Sequence, residues 1–179
     1  MTINYPKIFI GKEVNVIGTG ASLIDFDFTF FDKKNVIAVN DAYRFVKSDC
    51  LVAVDVDWYK RDYNNNLFKK YKKPIFTSNE IEGTIRIKLD PNNSFDYGII
   101  NANISGFTAI AVADYLGAKS INLYGMDFNY EGGKYFFDNP YGNRGSFNKA
   151  INMFHVFNKL KITNYNFRSK LPIPQKWIK

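Results

Sequence analysis

The sequence is poor in cysteine and histidine, with one of each, Cys50 and His155, among 179 residues. A single cysteine excludes an internal disulfide, and one cysteine with one histidine excludes a zinc site of the usual Cys/His kind within one chain. No stretch approaches the roughly 18 consecutive apolar residues of a membrane span. A secretory signal, with its basic start, apolar run and small-residue cleavage site, is also missing. We therefore expect a cytoplasmic protein.

The residues that are abundant fit a folded chain with anionic partners. Apolar residues make up 46% and charged residues 23%, a composition typical of a globular protein. The net charge of +7 favours nucleotides, phosphorylated glycans, nucleic acid or acidic lipid head groups. This charge leaves peripheral membrane contact open, and the many Phe and Tyr residues leave a homo-oligomer open. The basic run at residues 69–73 has no nucleic-acid motif beside it, so we interpret it as a solvated helix face.

Strand-like and helix-like patterns alternate along the chain, which is typical of a parallel sheet with crossover helices. Polar residues follow several of the predicted strands, at the edge where open α/β sheets bind ligands. The predicted fold class is α/β and Rossmann-like, with a mostly parallel sheet, helices on both faces and a short lid loop near residues 128–146. The predicted strands are 13–17, 35–39, 50–54, 75–77, 82–89, 120–124 and 162–167, and the predicted helices are 58–71, 105–116 and 147–160.

A glycine-containing loop with Gly18, Thr19, Gly20 and Ser22 follows the first of these strands. Glycines let the backbone approach a phosphate or sugar closely, and exposed N–H groups can bind its oxygens. The third glycine of the dinucleotide fingerprint is replaced by Leu23, which disfavours NAD. The loop predicts nucleotide binding, with a plain tight turn as the alternative. We therefore expect residues 1–179 to form a single nucleotide-binding α/β domain.

Further polar candidates follow other elements. Asn40 ends a strand, where its amide can bind a base or ribose or simply form a turn. Asp55 and Asp57 would share one face of an extended chain and suit a divalent cation or a sugar hydroxyl, with helix N-capping as the alternative. Ser105 and Gly106 open a helix whose N-terminus attracts phosphate, with an ordinary serine N-cap as the alternative.

The predicted lid carries a third group of candidates. Asp127, Tyr130 and Tyr135 flank a glycine pair at residues 132–133. Tyrosine hydroxyls can hold a leaving phosphate without carrying charge, and the alternative is aromatic packing on the core. His155 falls within a predicted helix, which favours a core or interface histidine over a catalyst.

Two segments resemble a group of bacterial proteins. Residues 14–28 (VNVIGTGASLIDFDF) resemble the opening motif of the CMP-sialic-acid-dependent sialyltransferases that decorate lipooligosaccharide. Residues 104–138 (ISGFTAIAVADYLGAKSINLYGMDFNYEGGKYFFD) resemble the second hallmark of that group. The group also includes MptE-like proteins, namely 6-hydroxymethylpterin pyrophosphokinases and motility-associated flagellin glycosylation factors. The resemblance implies a nucleotide-binding, Rossmann-like fold.

The resemblance also implies roles for single residues around the donor. Thr19 and Asn40 fall at positions where the sialyltransferases place nucleotide-contacting asparagines. Asp55 falls at a third such asparagine, so the residue type changes there. Ser105 and Gly106 match a Ser-Gly pair that contacts the CMP sugar.

Around the leaving group, the resemblance carries over less completely. Tyr135 matches one of two tyrosines that hold the leaving phosphate, and the other falls at Asn129, beside Tyr130. The sialyltransferases use a histidine base just before the last long helix, but residues 139–146 contain none here. Arg144 in that segment suits a phosphate or an acidic sugar and is a poor base at neutral pH.

The leading hypothesis is a glycosyltransferase that moves a sugar from a nucleotide donor of CMP-sialic-acid type to a surface glycan, as in lipopolysaccharide biosynthesis. No metal or other cofactor is expected, and Asp127 or Asp55 would act as the base. One alternative is an MptE-like pyrophosphokinase that needs ATP and magnesium, with Asp55, Asp57 and Asp127 as metal ligands. Another is a non-catalytic nucleotide-binding or scaffold domain. Predicted donor contacts are Gly18, Thr19, Gly20, Ser22, Asn40, Ser105, Gly106 and Arg144, with Tyr130 and Tyr135 at the leaving phosphate.

Overall fold

The structure is a computed structural model that describes residues 2–64, 70–88, 104–128, 151, 154–166, 169 and 171–176. The strands are β1 (Thr2–Ile3), β2 (Glu13–Ile17), β3 (Val36–Val39), β4 (Cys50–Val52), β5 (Ile75–Thr77), β6 (Ile85–Lys88), β7 (Ser120–Tyr124) and β8 (Ile162–Asn164). The α-helices are α1 (Val56–Asn64) and α2 (Ser105–Tyr115). Short 3-10 helices span Ala21–Leu23, Phe28–Phe31, Asn40–Arg44 and Phe154–Phe157.

The eight strands form one sheet in the order β1-β6-β5-β4-β3-β2-β7-β8. β1 runs antiparallel to β6, and the other neighbouring strands pair in parallel. The predicted α/β fold with a mostly parallel sheet is therefore confirmed. From β2 the chain builds outward to β6 and then places β7 on the opposite side of β2. Strand order thus reverses between β2 and β7, and open α/β sheets bind ligands at such a reversal, outside the carboxyl ends of the strands.

Two apolar layers cover the two faces of the sheet. Val14 and Val16 of β2 face the layer that contains α2, whereas Ile17 faces the layer that contains Trp58 and Tyr59 of α1. This alternation follows from the two-residue period of a strand. The predicted placement of helices on both faces is confirmed. No helix in the described part of the chain is both long and apolar enough to cross a membrane.

α2 is buried around its whole circumference rather than along one stripe. Every residue from Ser105 to Ala113 is buried. Small side chains at Gly106, Ala109 and Ala111 allow it to lie close to the sheet. The helix packs against the central strands β2, β3 and β4. Its N-terminal end therefore reaches the carboxyl edge of the sheet, where the predicted site lies.

Candidate functional site

The glycine loop packs tightly against the residues that follow β7. The N–H of Gly18 donates to the Tyr124 carbonyl at 2.7 Å, and the N–H of Gly20 donates to the Gly125 carbonyl at 2.8 Å. A Cβ on Gly18 would lie 2.5 Å from the Gly125 oxygen, and a Cβ on Gly20 would lie 2.6 Å from it. Both glycines are therefore required by this close approach. Their N–H groups are used within the fold, so the glycines shape the loop without donating to a phosphate.

Asp127 fastens the same loop to the end of β7. One carboxylate oxygen accepts the backbone N–H of Ser22 at 2.8 Å. The other accepts the Ser22 hydroxyl at 2.5 Å and the Asn166 side-chain amide at 2.7 Å. These bonds join the loop after β2, the end of β7 and the segment after β8. The carboxylate is thus engaged in holding three segments together. Thr19, half-buried between the glycines, makes no hydrogen bond within the described structure.

Asp55 and Asp57 do not share one face, which corrects the prediction from sequence. β4 ends at Val52 and α1 begins at Val56, so the chain is not extended through this pair. Asp57 lies in the first turn of α1 with its side chain 80% exposed, 3.5 Å from the Lys60 ammonium. Asp55 is half-buried, and no hydrogen bond engages its carboxylate among the described residues. Burial, followed by the charge of Asp57, raises the pKa of Asp55 above its ordinary value.

The predicted metal ligands of the pyrophosphokinase alternative are not brought together. Among the described residues, no group of three His, Cys, Asp or Glu side chains could hold a metal ion. Asp127 is engaged by Ser22 and Asn166, and Asp57 points to solvent.

The N-terminus of α2 lies between the ends of β4 and β7. Ser105 is the first helical residue, and the N-cap is Ile104, which makes no side-chain cap bond, so the alternative of an ordinary serine N-cap is wrong. The buried Ser105 hydroxyl instead accepts the Val54 N–H at 3.1 Å. A Cβ on Gly106 would lie 2.9 Å from the Met126 sulfur. These two contacts hold the positive end of the helix dipole at the carboxyl edge of the sheet.

Asn40 is the clearest ligand-binding candidate on this edge. It follows β3 directly, with a left-handed backbone at φ +48°. Its side-chain oxygen is buried and has no hydrogen-bond partner among the described residues. Buried polar atoms in folded proteins are nearly always paired, so an orphaned acceptor at a predicted site marks a group that a ligand can satisfy.

Sequence reasoning missed two asparagines that complete this edge. Asn79 follows β5, and its amide donates to the Val54 carbonyl while its N–H donates to the Thr77 hydroxyl. Asn166 follows β8 and binds Asp127. Both asparagines lie just beyond the end of a strand, as Asn40 does. That position is the sequence signal by which they could have been found.

Of the four remaining predicted residues, the structure describes only His155. Tyr130, Tyr135 and Arg144 fall outside the described residues, as does the predicted lid loop beyond Phe128. His155 lies on the 3-10 helix Phe154–Phe157 and is exposed, so it is not a core histidine.

Known proteins that resemble this chain do so in structure and not in sequence. No family model matches the sequence, and no curated protein matches it. One solved structure that resembles it is the sialyltransferase CstII from Campylobacter jejuni in complex with a substrate analogue, cytidine-5'-monophosphate. It superposes with a TM-score of 0.58 at 19% identity over 87% of this chain and 80% of that one. The chain has a sialyltransferase-like fold.

A second structure of CST-II, in complex with a trisaccharide acceptor and CMP, superposes with a TM-score of 0.56. The identity is 18%, over 86% of this chain and 80% of that one. Both comparisons agree with the Rossmann-like architecture predicted from the sequence.

Proposed function

We propose that the chain is a glycosyltransferase that uses a nucleotide-activated sugar, of CMP-sialic-acid type, to modify a surface glycan. The observation that carries this proposal is the buried, unpaired amide oxygen of Asn40 at the carboxyl end of β3. It lies one strand away from the glycine loop, since β2 and β3 pair in parallel with Ile17 opposite Ala38. The similar CstII structures contain CMP and, in one case, an acceptor trisaccharide.

Donor binding would divide among three elements of the edge. Asn40 would accept a hydrogen bond from the base or ribose, and Thr19 would lie beside it in the next loop. The N-terminus of α2, held in place by Ser105 and Gly106, would attract the phosphate through the helix dipole. Gly18 and Gly20 would shape the loop so that the nucleotide can approach.

Asp55 is the carboxylate that we assign as general base, because Asp127 is engaged by three hydrogen bonds. An acceptor hydroxyl would attack the anomeric carbon and pass its proton to Asp55. The bond between that carbon and the phosphate oxygen would break, and its electron pair would leave with the nucleotide. The raised pKa of Asp55 brings this carboxyl closer to the operating pH, which favours proton transfer. Tyr130, Tyr135 and Arg144 are proposed to stabilise the departing phosphate.

A thermal-shift screen tests the nucleotide class. The ligands are CMP, CMP-sialic acid, UDP-sugars, GDP-sugars and ATP, each with and without magnesium. At about 100 times its dissociation constant, a ligand adds about 2.7 kcal/mol of stability. Metal-independent stabilisation by CMP or CMP-sialic acid is expected. Stabilisation only by ATP with magnesium would favour the pyrophosphokinase instead, and no shift with any nucleotide would refute the proposal.

Two variants and one control test which residue binds the nucleotide and which acts as the base. Asn40→Ala should reduce the CMP shift measurably, because one hydrogen bond to the nucleotide is lost, whereas Asn158→Ala, at an exposed asparagine, should keep the full shift. Asp55→Asn should keep CMP binding and lower the transfer of sialic acid to a glycan acceptor by about 10²- to 10⁴-fold. Full transfer by Asp55→Asn would reject Asp55 as the base. Tight CMP binding without transfer to any acceptor would favour a non-catalytic domain.

A further inference from the structure

The residue after Asn40 is a buried carboxylate, Asp41, held by two arginines. Its Oδ1 lies 2.6 Å from Nη2 of Arg61 and 3.1 Å from Nη2 of Arg44. The side chains of Asp41 and Arg61 are only 6% and 14% exposed, so solvent and salt screen their attraction weakly. Arg61 lies on α1, which follows β4. The ion pair therefore joins the turn after β3 to the helix after the next strand.

One aromatic ring lies near each guanidinium group. The Arg61 guanidinium lies 5.9 Å from the centre of the Trp58 ring, and that of Arg44 lies 5.9 Å from the centre of the Tyr43 ring. The two rings meet edge to face, with centres 6.1 Å apart. Cation–π contacts of this kind add to the ion pairs and restrict the rotamers of both arginines. Asp41 thus has two cationic partners, of which Arg61 is the more buried.

The left-handed backbone of Asn40 directly precedes this ion pair. Asparagine adopts the left-handed region more readily than most residues, because its side chain can hydrogen-bond locally. Here the Asn40 oxygen makes no such bond. The two residues that follow this left-handed position are both constrained, because Asp41 is fixed by its ion pairs and Ala42 is fully buried.

We propose that the Asp41–Arg61 ion pair is a positioning unit that holds the turn after β3 so that the amide oxygen of Asn40 stays unpaired and available to the nucleotide. This inference rests on the proposed function. A buried ion pair contributes little net stability compared with well-packed apolar residues, because both charges lose their hydration. Its value here is geometric, since it fixes the conformation of a neighbouring residue.

The test variant is Arg61→Met, which leaves Asp41 paired with Arg44 and so leaves no isolated buried charge. The matched control is Lys60→Met, which removes the same charge from the neighbouring position, where the side chain is 72% exposed. Arg61→Lys keeps the charge but lacks the planar fork, and should give an intermediate result. Each variant is compared with and without Asn40→Gly, which removes the amide while accepting the same left-handed backbone.

CMP affinity, measured by titration calorimetry, is the first readout. With Asn40 present, Arg61→Met should weaken binding by about 3- to 10-fold, and Lys60→Met by less than about twofold. In the Asn40→Gly background, Arg61→Met should add less than about a twofold loss, because its effect passes through Asn40. An equal loss in both backgrounds, or no loss in either, would overturn the proposal.

The urea midpoint of unfolding is a second readout that needs no ligand. Alanine is strained in the left-handed region and glycine is not, so Asn40→Ala should unfold at lower urea than Asn40→Gly. Arg61→Met should narrow this gap, because the released turn can relax. A gap that stays the same would show that the ion pair does not hold the turn. If the wild type binds no nucleotide, the proposed function fails, and this readout still decides whether the ion pair positions Asn40.

Discussion

Replacing Asp127 by asparagine separates a structural role of this carboxylate from a catalytic one. In the structure its two oxygens accept three hydrogen bonds, from the Ser22 N–H, the Ser22 hydroxyl and the Asn166 amide. Asparagine offers one acceptor oxygen and an NH₂ group, which would meet a donor. The Ser22 hydroxyl can rotate to accept, and the Asn166 amide can accept only if it flips, but a backbone N–H cannot accept at all.

The expected cost follows from these three bonds. A hydrogen bond to a charged group contributes about 1.5–3 kcal/mol when buried. Ser22 is exposed, so both of its bonds are discounted for competition with water, whereas Asn166 is buried. Losing or reorienting the Asn166 bond, and exchanging a charged acceptor for a neutral one in the others, gives about 2–3 kcal/mol. For a domain of this size, this corresponds to a fall in Tm of roughly 4–12 °C.

Urea denaturation of the wild type, Asp127→Asn and Asp25→Asn measures this cost. Asp25 is an exposed aspartate at φ +62°, a backbone that asparagine also accepts, so Asp25→Asn makes the same charge change and should stay within about 0.5 kcal/mol of the wild type. Unchanged stability of Asp127→Asn together with lost sugar transfer would show that Asp127 acts in the chemistry, and the structural argument would be wrong.

Two further predictions concern the same edge of the sheet. The folded-state pKa of Asp55 is raised, so the penalty of its ionised form is absent in acid and grows as the pH rises through that pKa. Asp55→Asn should therefore increase the unfolding free energy at neutral pH but not in acid. Urea denaturation at the two pH values measures this, and an equal increase at both would contradict the prediction. Gly20→Ala should cost about 1–3 kcal/mol and weaken nucleotide binding, because its Cβ would lie 2.6 Å from the Gly125 oxygen. Gly83→Ala meets no atom within 4 Å and should leave nucleotide affinity unchanged in the same calorimetric assay.

Local patterns were sufficient to predict most of the sheet. β2, β5 and β7 have the predicted bounds, because each is a short apolar or β-branched run with polar residues or glycine at its end. β1 has only two residues, too few to show any periodicity. It is held by pairing with β6 and by the Tyr115 hydroxyl, which donates to the Ile3 carbonyl, and both partners are remote in sequence.

The site was predictable as a set of positions but not as a set of contacts. Asn40 was identified because it ends a strand, and the glycine loop because it follows one. The contacts depend on how strands and helices pack, which the local sequence does not show. Examples are the bonds from the loop glycines to the β7 segment and the ion pair between Asp41 and Arg61 on α1. The prediction that Asp55 and Asp57 share one face was wrong because α1 begins at Val56, between the two residues.

The pairing of β2 with β7 has a consequence for the order in which the chain folds. Glu13 lies opposite Ser120 in the sheet, and the Ser22–Asp127 bonds span 105 residues. Contacts so distant in sequence require a costly chain closure, and they form slowly compared with local helices and turns. On the ribosome, β2 emerges before β7, so Gly18, Gly20 and Ser22 cannot make their bonds to the β7 segment until β7 has been synthesised. The glycine loop therefore acquires its final shape among the last steps of folding, when the two halves of the sheet meet.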